Sequence, residues 1–377
     1  MFYISGRDLV MKRAISIIIA AIMLAGIAMP AFAMAGRGTV NSPYLISTEN
    51  DLMSCALKNK TGADPRGNNY RLANDIVIHK NIVIGSVEYP FSGTFDGAGY
   101  SVTIDYRYYE YYSGLFGAIA EGASVSNLTV IGRAESCKED YCGGLCGINN
   151  GTIINCTNKV EVDVYGALIC GGICGRNAAT GKIVNCLNNA SISGGIGAGG
   201  ICGRNDGKIQ NCVNNGAVST GGICATNFAT GTLENCFSTG AVRENAGIGF
   251  VFGNDFSLVN NCFHKDDSGS DKFSLSDELM RAESGTEGAL IDRLNGYKDE
   301  SGNYPADWLT WAKEEGGYPY LLADDSLNGN ADPDENKKCE KCGLQHSDSL
   351  LGSILCWLVR VVKTTVEYVR IILEITF

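Results

Sequence analysis

Histidine, proline and tryptophan are scarce in this chain, and so is charge. Its 377 residues hold 3 histidines, 7 prolines and 3 tryptophans. Three histidines leave little room for a multi-histidine metal centre or for histidine-based acid–base chemistry. So few prolines beside 48 glycines exclude a collagen-like or proline-rich composition. Charged residues make up 19%, below the roughly 25% of an ordinary globular chain. The balance is acidic: 30 Lys and Arg against 41 Asp and Glu give a net charge of −11. A net negative chain repels a phosphate backbone, so nucleic acid is not an expected partner.

What is present begins with an export signal. Lys12 and Arg13 precede an uncharged run over 14–34, which Pro30 interrupts before Ala31-Phe32-Ala33. A basic region, an apolar stretch and a small-x-small site predict a signal peptide over 1–33, cleaved after Ala33. The run is also long enough to cross a bilayer, so an uncleaved anchor is the competing reading. Export implies a secreted or cell-surface location, outside the cytoplasm, where disulfides are permitted.

The middle of the chain repeats. The block Gly114-Leu115-Phe116-Gly117 returns with third positions at Cys146, Cys174, Cys202, Cys224 and, degenerately, Phe252. A second landmark follows 10 or 12 residues later: Asn127-Leu128, Asn155-Cys156, Asn185-Cys186, Asn211-Cys212, Asn235-Cys236 and Asn261-Cys262. The alternation of offsets marks one loop that tolerates two extra residues. Around the landmarks stand short β-branched segments, among them Ile153, Ile183, Ile209 and Leu233, then Val162, Ile192, Val218 and Val242. They alternate with Gly and Asn and show no helical period. A period in the twenties with strands of this length predicts a solenoid. Each repeat is one coil, and every strand pairs with the coils above and below about 4.8 Å away. The fold class is therefore all-β, a right-handed parallel β-helix. Three residues past the first landmark stand Asn149, Asn177, Asn205, Asn227 and Asp255, which reads as a structural asparagine ladder at a turn.

These motifs resemble the GLUG-motif repeat of bacterial surface and secreted proteins. The carriers are the Gly-Leu-apolar-Gly block and the Asn-Cys-x-Asn-x-Gly-x-Val stretch, seen at Asn211 to Val218. Pro43-Tyr44-Leu45-Ile46 and Phe91-Ser92-Gly93-Thr94-Phe95-Asp96-Gly97 upstream are similar too, as is Gly317-Tyr318-Pro319-Tyr320-Leu321 downstream. The resemblance covers about 43–322. It implies a β-helix in adhesins and surface proteins, and it supplies no catalytic residues.

Six segments follow: the signal 1–33, an N-terminal cap with first coils 34–112, repeats 113–264, a C-terminal cap 265–322, a polar linker 323–338 and a tail 339–377. Thr48 with Asp51 resembles a capping box ahead of a helix whose apolar stripe is Leu52, Met53, Ala56 and Leu57. Asp277 to Arg281 and Gly288 to Leu294 are expected to be short helices.

Eleven of the 16 cysteines fall in repeat columns. A disulfide or metal framework is one reading. Phe116, Phe252 and Leu128 stand in the same columns, which favours reduced thiols packed as small apolar side chains.

Residues for chemistry are few. Glycoside cleavage needs paired carboxylates. The repeats offer Glu121, Glu135, Glu139, Asp140, Glu161, Asp163, Asp206, Glu234, Glu244 and Asp255, and these form no column. No Ser-His-Asp or Cys-His arrangement is legible. Tyr106, Tyr108, Tyr109, Tyr111 and Tyr112 cluster ahead of the repeats and are candidate binding residues for a sugar or a protein. The tail carries Cys339, Cys342 and His346, three candidate ligands of a zinc ion, with Asp348 or Cys356 as a fourth. Beyond them Arg360, Lys363, Glu367, Arg370 and Glu374 share one helical face opposite Leu358, Val361, Val362, Val369 and Ile372. This C-terminal amphipathic helix could meet a membrane surface, a partner or its own domain. The functional expectation is a non-catalytic exported surface β-helix that binds a host or environmental glycan or protein. A polysaccharide-cleaving enzyme and a ligand-free scaffold are the alternatives.

Overall fold

The computed structural model describes residues 34–60, 67–105, 114–136, 140–165, 169–194, 197–228, 230–242, 250–251, 259–265, 274–298, 302–315 and 317–322. They form a parallel β-solenoid. One coil runs through four short strands, Tyr141–Gly143, Cys146–Asn149, Thr152–Ile154 and Thr157–Tyr165. Their equivalents stack into sheets I to IV, of three, six, nine and ten strands in order. Sheet III begins at Tyr44–Ile46 and sheet IV at Ile76–Ile78, so the stack starts well before the repeats.

The inward columns are the ones that the repeat predicts. Cys146, Cys174, Cys202 and Cys224 pair in register, as do Ile153, Ile183, Ile209, Leu233 and Val259. Successive strand residues point to opposite faces, so one residue type recurs on the inside while its neighbours face out. The twelve described cysteines are buried thiols. Burial pushes the Cys174, Cys202 and Cys224 thiols well above the usual thiol range. They stay neutral and inert.

Double glycines set the sharp bend between sheets I and II. A Cβ on Gly171 would lie 2.8 Å from the Gly203 backbone nitrogen, and one on Gly199 2.5 Å from the Ala225 backbone nitrogen. The second glycine of each pair abuts an amide of its own coil: a Cβ on Gly172 would meet the Asn188 amide carbon at 2.6 Å. This explains one departure from the sequence alignment. Phe250 and Val251 pair with Thr226 and Asn227. The alignment that places Phe252 beneath Cys224 and Asp255 beneath Asn227 is therefore four residues out. In that alignment Phe250 would occupy the second-glycine place, which has no room for a side chain. Val251 takes the position paired with Asn227, and Asp255 lies outside the described residues.

Among the described residues three amide ladders of four or more members, rather than one, line the stack. In the first, Asn149 Nδ2 donates to Asn177 Oδ1 at 2.9 Å, Asn177 to Asn205 at 2.8 Å and Asn205 to Asn227 at 2.7 Å. A second buried ladder links Asn158, Asn188, Asn214 and Ser238 on sheet IV. The third is the Asn of the second landmark. Asn127, Asn155, Asn185, Asn211, Asn235 and Asn261 all take left-handed backbone, with φ of 52°, 54°, 52°, 54°, 55° and 49°. Asparagine is the side-chain-bearing residue best suited to that conformation.

Helix α1 (Glu49–Lys60) covers the N-terminal end. Asp51 N donates to Thr48 Oγ1, and Thr48 N to Asp51 Oδ2, as the capping box requires. Its buried stripe is Leu52, Cys55, Ala56 and Asn59, whereas Leu57 is exposed, so the stripe lies one position round from the expected one. At the other end are α2 (Asp277–Arg281) and α3 (Leu290–Asn295). With Trp311 they pack on Val213, Phe237 and Phe263 of sheet IV. The segment that follows runs back beside the third ladder. Asn185 Nδ2 donates to the Asp307 carbonyl and Asn211 Nδ2 to the Leu309 carbonyl, both at 2.8 Å. The C-terminal cap thus covers a flank of the solenoid as well as its last coils. The signal segment, the linker and the C-terminal helix lie outside the described residues.

Candidate ligand-binding corner

A concentrated group of charge lies at the corner between sheets II and III. Arg176 and Arg204 occupy the same outward position on successive coils and pair in register. Asp206 follows in the turn. Its Oδ2 accepts from Arg176 Nε at 3.1 Å and from Arg204 Nε at 3.0 Å, and its Oδ1 from Arg204 Nη2 at 3.0 Å. The carboxylate is covered, 11% exposed, while the Arg176 and Arg204 side chains are 35% and 27% exposed. Burial alone would raise the Asp206 carboxyl, but the two guanidiniums outweigh it and hold it below the ordinary value. Arg204 is in turn held above its own ordinary value, first by Asp206.

Aromatic rings back the guanidiniums. The Arg204 guanidinium carbon lies 3.8 Å from the Phe228 ring centre, and that of Arg176 5.8 Å from the Tyr141 ring centre. Past the turn, Lys182 and Lys208 begin successive strands of sheet III, pair in register and point into solvent. Two pairs of cations therefore flank the turn on successive coils, the arginines on sheet II around Asp206 and the lysines on sheet III.

The residues expected to bind or ligate fall elsewhere. Tyr106, Tyr108, Tyr109, Tyr111 and Tyr112 lie outside the described residues, and so do Cys339, Cys342 and His346. Among the described residues no group of three His, Cys, Asp or Glu side chains is placed to hold a metal, and no helix is long and apolar enough to cross a membrane. Glu161 and Asp163 are exposed, and Asp163 accepts from Ser193 Oγ at 2.7 Å.

The corner was missed in the sequence, although its signal is there. Cys-Gly-Arg-Asn stands at both 174–177 and 202–205, and Gly-Lys-Ile at both 181–183 and 207–209. Following polar columns as closely as apolar ones would have found it. A second feature was also missed. Ser274 Oγ lies 3.4 Å from His264 Nε2, at the far end of the sheet IV ladder.

No family model and no curated protein matches the sequence. Among solved structures, a crystal structure from Bacteroides ovatus, described as a "putative immunoglobulin A1 protease", is similar with a TM-score of 0.53. The two share 22% identity over 76% of this chain and 94% of that one. At this identity the likeness shows the fold alone, and with the strand pairing above it defines a parallel β-helix repeat protein. The GLUG resemblance stays one of motifs. The expectation that the chain is not an enzyme is corrected by this finding. A protein of the same fold carries a protease name. Neither the architecture nor the missing column of carboxylates therefore excludes catalysis.

Proposed function

We propose that this chain is an exported surface protein whose β-helix is a rigid binding face for a host or environmental glycan or protein. The observation that carries the reading is the corner of Arg176, Arg204, Tyr141 and Phe228. Asp206 and the first amide ladder fix its geometry before a ligand arrives. Groups held in place in advance lower the ordering cost of binding. The signal-like segment over 1–33 supports export and the GLUG-like motifs support display. In this reading the tail is the attachment device: Cys339, Cys342 and His346 hold zinc, and the amphipathic helix rests on a membrane surface. Deleting 339–377 is expected to release the protein into the medium; unchanged fractionation contradicts attachment.

The test takes the mature chain, beginning at Met34, against host and plant polysaccharides and immunoglobulin A1, scoring retention and cleavage together. Saturable retention of any member supports the reading. Absence of retention across the panel contradicts it.

Peptide-bond hydrolysis is a second reading. The protease name of the similar structure and the Ser274–His264 contact favour it. Contacts between a nucleophile and its base are often long without substrate. Cleavage of immunoglobulin A1 that Ser274→Ala abolishes is the expected result, and cleavage untouched by that change removes the pair from the account.

A further inference from the structure

We infer that the corner formed by Arg176, Arg204, Lys182 and Lys208 binds an acidic polysaccharide, one that carries carboxylate or sulfate groups along its length. The inference rests on the surface-binding reading and names its ligand class.

The first argument is an unrelieved repulsion. Lys182 stands opposite Lys208 on adjacent parallel strands, as Arg176 stands opposite Arg204. Like charges directly opposed weaken a sheet. The arginine pair is relieved by Asp206. The lysine pair meets no acidic side chain among the described residues. An arrangement that costs stability on its own is explained by an anion that completes it.

The second argument is donor geometry. Arg176 engages Asp206 through Nε alone. Its two terminal nitrogens reach no acceptor among the described residues and lie on a partly exposed side chain. A guanidinium fork of this kind matches a carboxylate or sulfate with two parallel hydrogen bonds. The rings of Tyr141 and Phe228 add apolar surface beside the charge, suited to the C–H face of a sugar.

The third argument is spacing. The four cations form two rows on successive coils, about 4.8 Å apart. A linear polymer laid along the stack meets one row after the other. Duplex DNA carries a charge about every 1.7 Å of its axis, far denser than these rows and repelled by the acidic remainder of the chain. A glycan with one acidic group on each sugar or each second sugar is charged more sparsely, as the rows are.

The experiment uses the full mature chain with polygalacturonate and chondroitin sulfate as probes, dextran as the neutral control and polyglutamate as the acidic peptide. Saturable binding to polygalacturonate or chondroitin sulfate, weakening as salt is raised, is expected. Lys182→Gln with Lys208→Gln should weaken it roughly tenfold, and so should Arg176→Gln. The melting temperature of the lysine variant should be unchanged or raised, because the variant removes a repulsion. Equal binding by wild type and both variants overturns the inference. So does retention on dextran or polyglutamate equal to that on the acidic polysaccharides. Either result leaves a ligand-binding surface protein standing, whereas a chain that retains nothing, immunoglobulin A1 included, removes that reading as well.

Discussion

At the residue scale, two kinds of side chain hold the corner: a carboxylate that neutralises and amides that tie coil to coil. Asp206→Asn should cost about 1–3 kcal/mol at pH 7, because it leaves two guanidiniums facing each other beside a weaker acceptor. The pH dependence follows from the lowered carboxyl. Burial acts to raise it, and Arg204 and Arg176 hold it below 3.8 in the folded chain. Its contribution is therefore complete above pH 3.8 and is lost as pH falls through the folded value. Urea titrations should find the gap between wild type and Asp206→Asn constant from pH 7 to pH 5 and shrinking below 3.8; a gap that widens in acid would contradict the assignment. Gly171 offers a purely steric counterpart. A Cβ there would run into the Cys174 carbonyl and lie 2.8 Å from the Gly203 nitrogen. Gly171→Ala should lower stability by about 1–3 kcal/mol. Gly197→Ala, whose nearest atom would be Ala225 Cβ at 3.1 Å, should lower it less. Equal losses by thermal melting would show that the bend does not depend on bare backbone. The inward columns were legible because burial imposes the same small set of side chains on every coil, as at Ile153, Ile183 and Ile209. The amide ladders were legible only where Asn149 and its equivalents recur at one fixed offset. The left-handed Asn of the second landmark was seen as a marker, not as a ladder, because its role depends on a backbone angle.

At the element scale, the caps show where pattern reading stopped short. The capping box of Thr48 and Asp51 is local and was readable. The lateral docking of 304–311 on Asn185 and Asn211 joins residues about a hundred positions apart and left no periodic trace. Tyr304 reports on that docking. Its hydroxyl donates to the Leu309 carbonyl at 2.9 Å, and burial pushes its pKa up to about 12. A folded value above the ordinary 10.0 means that the contribution is complete below pH 10 and lost as pH rises towards 12. Tyr304→Phe should therefore lose less stability than wild type between pH 10 and pH 12, measured by denaturant midpoint. An identical loss would place the ring in solvent. The cysteine columns make a separate forecast. Their described thiols are buried, so a thiol reagent should leave them unmodified in the native chain and titrate them after unfolding without reductant. Few thiols in the unfolded chain would mean that neighbouring coils are cross-linked.

At the scale of the whole molecule, a stack of parallel coils turns any outward residue that recurs into a row. The corner is such a row, two coils deep, of sign opposite to that of the chain as a whole. Its composition was visible in the sequence; its convergence was not, because the two-residue difference between successive turns hides the equivalence of 176 with 204 and of 182 with 208. The most direct test of the surface-binding account is lysine acetylation of the mature chain with and without saturating polygalacturonate, read residue by residue by mass spectrometry. The account predicts protection of Lys182 and Lys208, and unchanged labelling of exposed Lys80. Equal labelling of all three, or protection confined to Lys80, would contradict it.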